Sequence, residues 1–182
     1  MAVRHVVEPL ASEARQVTWQ EEVYAEDMYG TSPWAGADPT KGLVGQKIKW
    51  LFDPDTRQGV NGEWKIPEDR VPGTPVKVYF DYFMEGGPGG ALVLWAFTYV
   101  VVEVGGNVNA TASVRSVQDT TLGQYIRTLT DPIVLPASLF DGKRTPIELQ
   151  CTFNRWADDA VGDTDPNNAD LDKVIFEYTA YN

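Results

Sequence analysis

The sequence predicts an all-β protein: an antiparallel β-sandwich or jelly roll of about eight strands, preceded by an N-terminal arm. Three observations carry this reading. From residue 46 onward apolar side chains alternate with polar ones, turn-forming clusters punctuate the alternation at short intervals, and no stretch repeats at helical spacing. The first strand runs over 46–53, with Ile48, Trp50 and Phe52 on one face and Lys47 and Lys49 on the other. Asp53-Pro54-Asp55 turns the chain, and a short strand over 62–66 stops at Pro67-Glu68-Asp69. After Val71-Pro72-Gly73-Thr74-Pro75, the strand 76–84 sets Val76, Val78, Phe80 and Tyr82 on one side. The glycine loop 86–90 leads into 92–104, apolar on both faces as expected of a central strand. Gly105-Gly106-Asn107 reverses the chain into 110–117. Strands at 124–129, 133–135, 147–156 and 173–181 follow; Ile147, Leu149, Cys151 and Phe153 share one face, as do Val174, Phe176 and Tyr178. No internal repeat or low-complexity tract occurs.

Residues 1–45 have a different character and are expected to form the arm, with the sandwich domain over 46–182. Val7, Leu10, Ala11, Ala14 and Val17 fit a short helix over about 9–16, and the Val17/Trp19 alternation then turns strand-like. Tyr29-Gly30, Ser32-Pro33 and Asp38-Pro39 break any further periodicity. Trp19, Tyr24, Tyr29 and Trp34 are large aromatics that a solvated linker would not keep, so they are the candidate partner-binding residues. They are expected to pack either on their own domain or on a neighbouring subunit, the alternative being a floppy terminus.

Composition narrows the function classes. The chain has 182 residues and 43% hydrophobic content, enough for one domain with a real core. Its 15 Lys+Arg against 26 Asp+Glu give a net charge of −11, which argues against nucleic-acid binding because no basic stripe exists to replace phosphate counterions. One histidine (His5) and one cysteine (Cys151) exclude an intrachain disulfide, a Cys/His zinc site and His-dependent nucleophilic triads built from this chain alone. His5 is expected to be exposed and Cys151 to be a small buried apolar residue. No run reaches the roughly 20 apolar residues of a membrane span. Glu8 and Glu13 interrupt what would be a signal-peptide core, so assembly in a cytoplasm is expected.

The loop 157–172 is the most unusual segment, with Asp158, Asp159, Asp163, Asp165, Asp170 and Asp172 and no basic residue. Asp163-x-Asp165-x-Asn167 copies the start of a calcium loop, but Asn168 stands where that loop needs Gly and Val174 where it needs Glu. An EF-hand is excluded. Asp163 and Asp165 remain a weak candidate for an irregular cation site beside the favoured reading, a solvated loop of Asx turns. No metal or other cofactor is expected. Glu85, Glu103, Glu148 and Glu177 sit on or beside strands as outward residues of alternating patterns, which does not make a glycosidase pair. The chain is read as a non-enzyme. Trp50, Trp64 and Trp95 fall in strands, where core or edge packing is the expected role rather than a sugar platform.

Four ordered motifs carry a family resemblance over about 46–182. They are Gly62-Glu63-Trp64-Lys65-Ile66-Pro67-Glu68-Asp69, the strand Val76-Lys77-Val78-Tyr79-Phe80-Asp81-Tyr82-Phe83, and a glycine loop before Val93-Leu94-Trp95. The fourth runs from Phe153-Asn154-Arg155-Trp156-Ala157-Asp158-Asp159 through Asp163-Thr164 and Ala169-Asp170-Leu171 to Val174-Ile175-Phe176-Glu177-Tyr178. Together they resemble a family of small, jelly-roll-like β-sandwich domains of tailed-bacteriophage structural proteins. Trp156 and the insertion Pro166-Asn167-Asn168 depart from its pattern, and the arm has no counterpart in it. Arg155 paired with Asp158 or Asp159 is the expected structural ion pair. The resemblance implies location in the virion and trimeric assembly. The leading expectation is a capsid decoration (cement) protein, a homotrimer bridging head subunits such as the major capsid protein, with no nucleic-acid or membrane partner. The alternative is a tail-fibre or receptor-binding domain for host glycans.

Overall fold

The computed structural model describes residues 15–30, 38–44 and 47–182. The described chain is all-β, in two antiparallel sheets. Its strands are β1 (Gln16–Tyr24), β2 (Thr40–Val44), β3 (Lys47–Phe52), β4 (Arg57–Lys65), β5 (Val76–Met84) and β6 (Leu92–Glu103). They continue with β7 (Ser113–Thr120), β8 (Thr128–Leu129), β9 (Ile133–Leu135), β10 (Ile147–Trp156) and β11 (Ala169–Tyr181). One sheet has the order β2-β3-β11-β5-β8, with β1 also on β11 and β9 also on β5; the other has the order β4-β10-β6-β7. No helix among the described residues is long and apolar enough to cross a membrane.

From β3 onward the pairing is palindromic. β3 pairs with β11, β4 with β10, β5 with the split strand β8/β9, and β6 with β7. That is one long hairpin rolled around itself, with β11–β5 and β10–β6 as the seams of the roll. It is a jelly roll, as the alternation and turn spacing predict. Four strands differ from expectation in their bounds: β7 runs over Ser113–Thr120 rather than 110–117, and β11 begins at Ala169 rather than at 173. β4 begins at Arg57, because Gly59 and Gly62 hide its alternation, and of 124–129 only Thr128 and Leu129 pair as a strand.

The core lies where the predicted faces meet. Val76, Val78, Phe80 and Tyr82 on β5 face Val93, Trp95 and Phe97 on β6, and all are fully buried. Trp95 is the centre: Phe80 stacks on it at 5.1 Å, and the Phe52 and Tyr82 rings meet it at 5.3 Å. Each such side chain contributes about 1.5–3 kcal/mol by leaving water. Cys151 is buried in the same layer. Lys49 departs from the pattern: predicted as an outward residue, it is buried against Asp172.

The described part of 1–45 is not separate from the sandwich, so the boundary expected at residue 45 does not divide arm from domain there. β1 pairs with β11 along its whole length, from Gln16↔Tyr181 to Tyr24↔Lys173, and β2 extends the same sheet beyond β3. The turn after β1 buries Ala25 and Met28, and the Trp50 indole N–H donates to the Ala25 carbonyl at 2.8 Å. Of the helix expected over 9–16, residues 9–14 lie outside the described residues, and at Gln16 the chain is already strand. Trp34 and His5 also lie outside them.

Trp95→Ala should cost about 3–5 kcal/mol in urea unfolding, the range for removing a large core aromatic. Trp95→Phe should cost less than half as much, because it also removes a buried indole N–H that has no acceptor among the described residues. Equal losses would show that ring volume is not what holds the centre.

Candidate partner-binding surface

The Asp-rich loop after β10 folds onto the end of the roll. Arg155, fully buried, forms a fork with Asp163: Nε to Oδ2 and Nη2 to Oδ1, both 2.8 Å. Its remaining N–H groups donate to the carbonyls of Phe52 (3.3 Å), Asn167 (2.7 Å) and Asp165 (2.8 Å). The predicted partners are thus corrected. Asp158 instead pairs with Arg57 at 3.0 Å, whose guanidinium lies over the Trp156 ring, and Asp159 accepts the N–H groups of Val161 and Gly162 in a turn. Both stand too early in the loop, before the chain has bent back over the core; Asp163 is the first aspartate beyond that bend.

The cation-site candidates are spoken for in other ways. Asp163 also accepts the Leu94 N–H at 3.2 Å, and Asp165 closes an Asx turn with the Asn167 N–H at 3.0 Å. No group of three or more His, Cys, Asp or Glu gathers for a metal among the described residues. The loop has the expected Asx turns but is not broadly solvated: Asp163, Asp165 and Asp170 are all buried. Asp170 has no hydrogen-bond partner for either oxygen among the described residues. Burial first, and then the nearby Glu85 charge, push its carboxyl up to about 7, against the pull of Lys49.

The outer face of the larger sheet carries a charge ladder across its strands. Glu22 on β1 pairs with Lys173 on β11; Lys173 lies 3.9 Å from Asp81 on β5, which Arg127 grips with a two-pronged contact. A second row joins Gln20, Glu177 and Lys77. Hydrogen bonds from Lys173 and Tyr24 hold the Glu22 carboxyl below its usual value, as Lys77 and Gln20 do for Glu177.

The predicted arm aromatics sit on the margins of the roll. Trp19, 49% exposed, is opposite Tyr178. Tyr24 is flanked by the ammonium groups of Lys173 and Lys47 at 5.4 and 5.9 Å from its ring. Tyr29, 53% exposed, bridges to Asn61 on the edge of β4 through two backbone hydrogen bonds of 3.1 and 2.7 Å. The described part of the arm packs on its own domain while leaving these rings partly in water. Sequence reasoning missed two further apolar features. Exposed Leu43 and Ile48 join Tyr24 around a groove of about 420 Å³, and Leu122, Tyr125, Ile126 and Leu129 are exposed around the loop before β8. Their one sequence signal is apolar residues on edges and turns.

No protein-family model matches the chain, and no curated protein matches it. Among solved structures, the infectious bursal disease virus Gx strain aligns with a TM-score of 0.42 and 12% identity, over 92% of this chain and 32% of that one. The Gt strain aligns with a TM-score of 0.41 and 13% identity, over 100% and 36%. The enzymatically active domain of tailspike protein 4 of Bacteriophage CBA120 aligns with a TM-score of 0.36 and 11% identity, over 88% and 19%. These are distant likenesses, and the chain spans about a third of each bursal disease virus chain and less of the tailspike.

The orphaned Asp170 makes stability pH-dependent. Its folded pKa, about 7, lies above the unfolded value of about 4, so the unfolded state releases the proton first and stability falls as pH rises from about 4 to 7. Asp170→Asn should be more stable than the parent at pH 8, with the gap closing toward pH 5, when urea midpoints are measured across that range. A gap independent of pH would contradict the assignment.

Proposed function

We propose that this chain is a structural protein of a tailed-bacteriophage virion, a capsid decoration (cement) protein that acts as a homotrimer and bridges head subunits. The observation that carries the reading is that the arm aromatics Trp19, Tyr24 and Tyr29 stay exposed while held in place by β1 pairing and by the Tyr29–Asn61 bridge. Rigidly placed aromatics lose little entropy when they dock, the property of interface anchors. The motif resemblance over 46–182 supplies the class of particle. The role is adhesive rather than catalytic, and needs no cofactor, nucleic acid or membrane.

β1 and β2 belong to the sheet, so deleting 1–45 would strip two strands along with the contacts, and point variants are the cleaner test. Trp19→Ala with Tyr29→Ala should lower occupancy on heads of the encoding phage prepared without this protein. The expected loss is at least about 30-fold in affinity, at about 2 kcal/mol for one anchor, with the urea midpoint nearly unchanged. Full occupancy by the double variant would refute the role of the arm. Glycan binding by the isolated chain without capture by heads would instead establish the receptor-binding alternative.

A trimer would carry 3 × −11 = −33 formal charges. Its self-repulsion is screened as the Debye length drops from about 30 Å at 0.01 M salt to about 8 Å at 0.15 M. Sedimentation should therefore show trimer gaining on monomer as salt rises. Monomer at every salt and protein concentration would contradict the trimer.

A further inference from the structure

A second surface lies between the free edges of the two sheets. A groove of about 540 Å³ runs between β1 and β4, with Val23 and Trp64 as its apolar floor and Glu21, Glu22, Asp27, Glu63 and Lys65 around it. That is four carboxylates to one amine. Glu21 is tied down, accepting the Trp64 indole N–H at 2.6 Å and the Tyr178 hydroxyl at 3.1 Å, and Glu22 is paired with Lys173. Asp27 and Glu63 are exposed and make no hydrogen bond or ion pair among the described residues.

Among the described residues no further strand pairs along the β1 side of this groove. The Asn182 N–H donates to the Arg15 carbonyl, and Gln16 lies opposite Tyr181. In an antiparallel ladder that places Gln16 at a non-hydrogen-bonded position, so the odd residues 17 to 23 bond to β11 and the N–H and C=O groups of Thr18, Gln20 and Glu22 point away from it. On β4 the Tyr29 bridge uses the outward groups of Asn61, and by the same two-residue period those of Glu63 and Lys65 also point outward. The chain's own residue 29 already pairs with this edge, showing that it accepts a strand.

We propose that this groove docks an extended segment of another polypeptide, carrying alternating apolar and basic residues, by strand addition to β1. Apolar side chains of the incoming strand cover Val23 and Trp64; its basic ones meet Asp27 and Glu63; its amides pair with Thr18, Gln20 and Glu22. Charge selects this occupant over a second copy, since two copies paired through β1 would bring Glu21 and Glu22 of each against the acids of the other. The inference goes beyond the virion role and does not rest on it.

The test uses the full chain and the peptide acetyl-KVKVKVKVK-amide, with acetyl-EVEVEVEVE-amide as the control. Binding of the lysine peptide is expected by fluorescence anisotropy, weakening at least tenfold between 50 and 500 mM salt, about the range over which screening removes exposed charge pairs. Hydrogen exchange at the amides of Thr18, Gln20 and Glu22 should slow on binding. Asp27→Asn with Glu63→Gln, both exposed and so harmless to folding, should weaken binding about tenfold or more. No binding, equal binding by that variant or by the glutamate peptide, or binding without protection of those amides would overturn the proposal. So would concentration-dependent protection without peptide, which would assign the edge to self-association. Failure here with head capture intact would leave the virion role standing.

Discussion

The buried guanidinium of Arg155 is the constraint on which the rest of this molecule depends. A permanent charge removed from water is tolerated only when every donor is matched, and this one makes five hydrogen bonds through its Nε, Nη1 and Nη2 groups. The matching groups come from distant parts of the chain: a carboxylate and two carbonyls of the loop after β10, and the carbonyl at the end of β3. Leu94 on β6 donates to the same Asp163, and Thr164 and Asp165 pair with the Leu92 carbonyl. Arg155 thereby fixes where the loop closes the end of the roll. Of the six aspartates of the loop, Asp163 is the one whose carboxylate meets this cation.

The free edges of the roll are treated unequally. β7 turns the charged Arg115 and Asp119 toward the face on which its neighbour β6 shows Phe97 and Val93, and such inward charges discourage another strand from adding. The β1 and β4 edges instead keep an apolar floor and half-exposed rings between them. The margin carrying Trp19 and Tyr29 is therefore one side on which the described residues leave the fold open to contact, and its geometry depends on the pairing of β1 with β11.

Much of the fold was legible in the sequence because alternation maps directly onto a two-layer sandwich. Val76, Val78, Phe80 and Tyr82 are buried as a face, and the doubly apolar strand 92–104 is a central one. The attachment of the arm was only half legible: Val17 and Trp19 signal a strand, but nothing local says that its partner is β11, more than a hundred residues away. The identity of the Arg155 partner was hidden for a similar reason. Asp158, Asp159 and Asp163 are chemically alike, and only the path of the loop selects among them. Asp170 escaped because β11 shifts register between Leu171 and Lys173, which breaks the alternation that sequence reading relies on, whereas Lys49 keeps the alternation of β3 and is buried through its pairing with Asp172.

The claim that the fork of Arg155 organises this end of the roll is tested most directly by the unfolding free energy of Arg155→Lys. Lysine keeps the charge and most of the stem, but offers a single ammonium group where the structure uses a planar five-donor fork. The account predicts a loss of about 3–5 kcal/mol, the size expected when a buried ion pair is broken with its remaining acceptors left unmatched. A loss under about 0.5 kcal/mol, no more than an ordinary surface substitution, would contradict it.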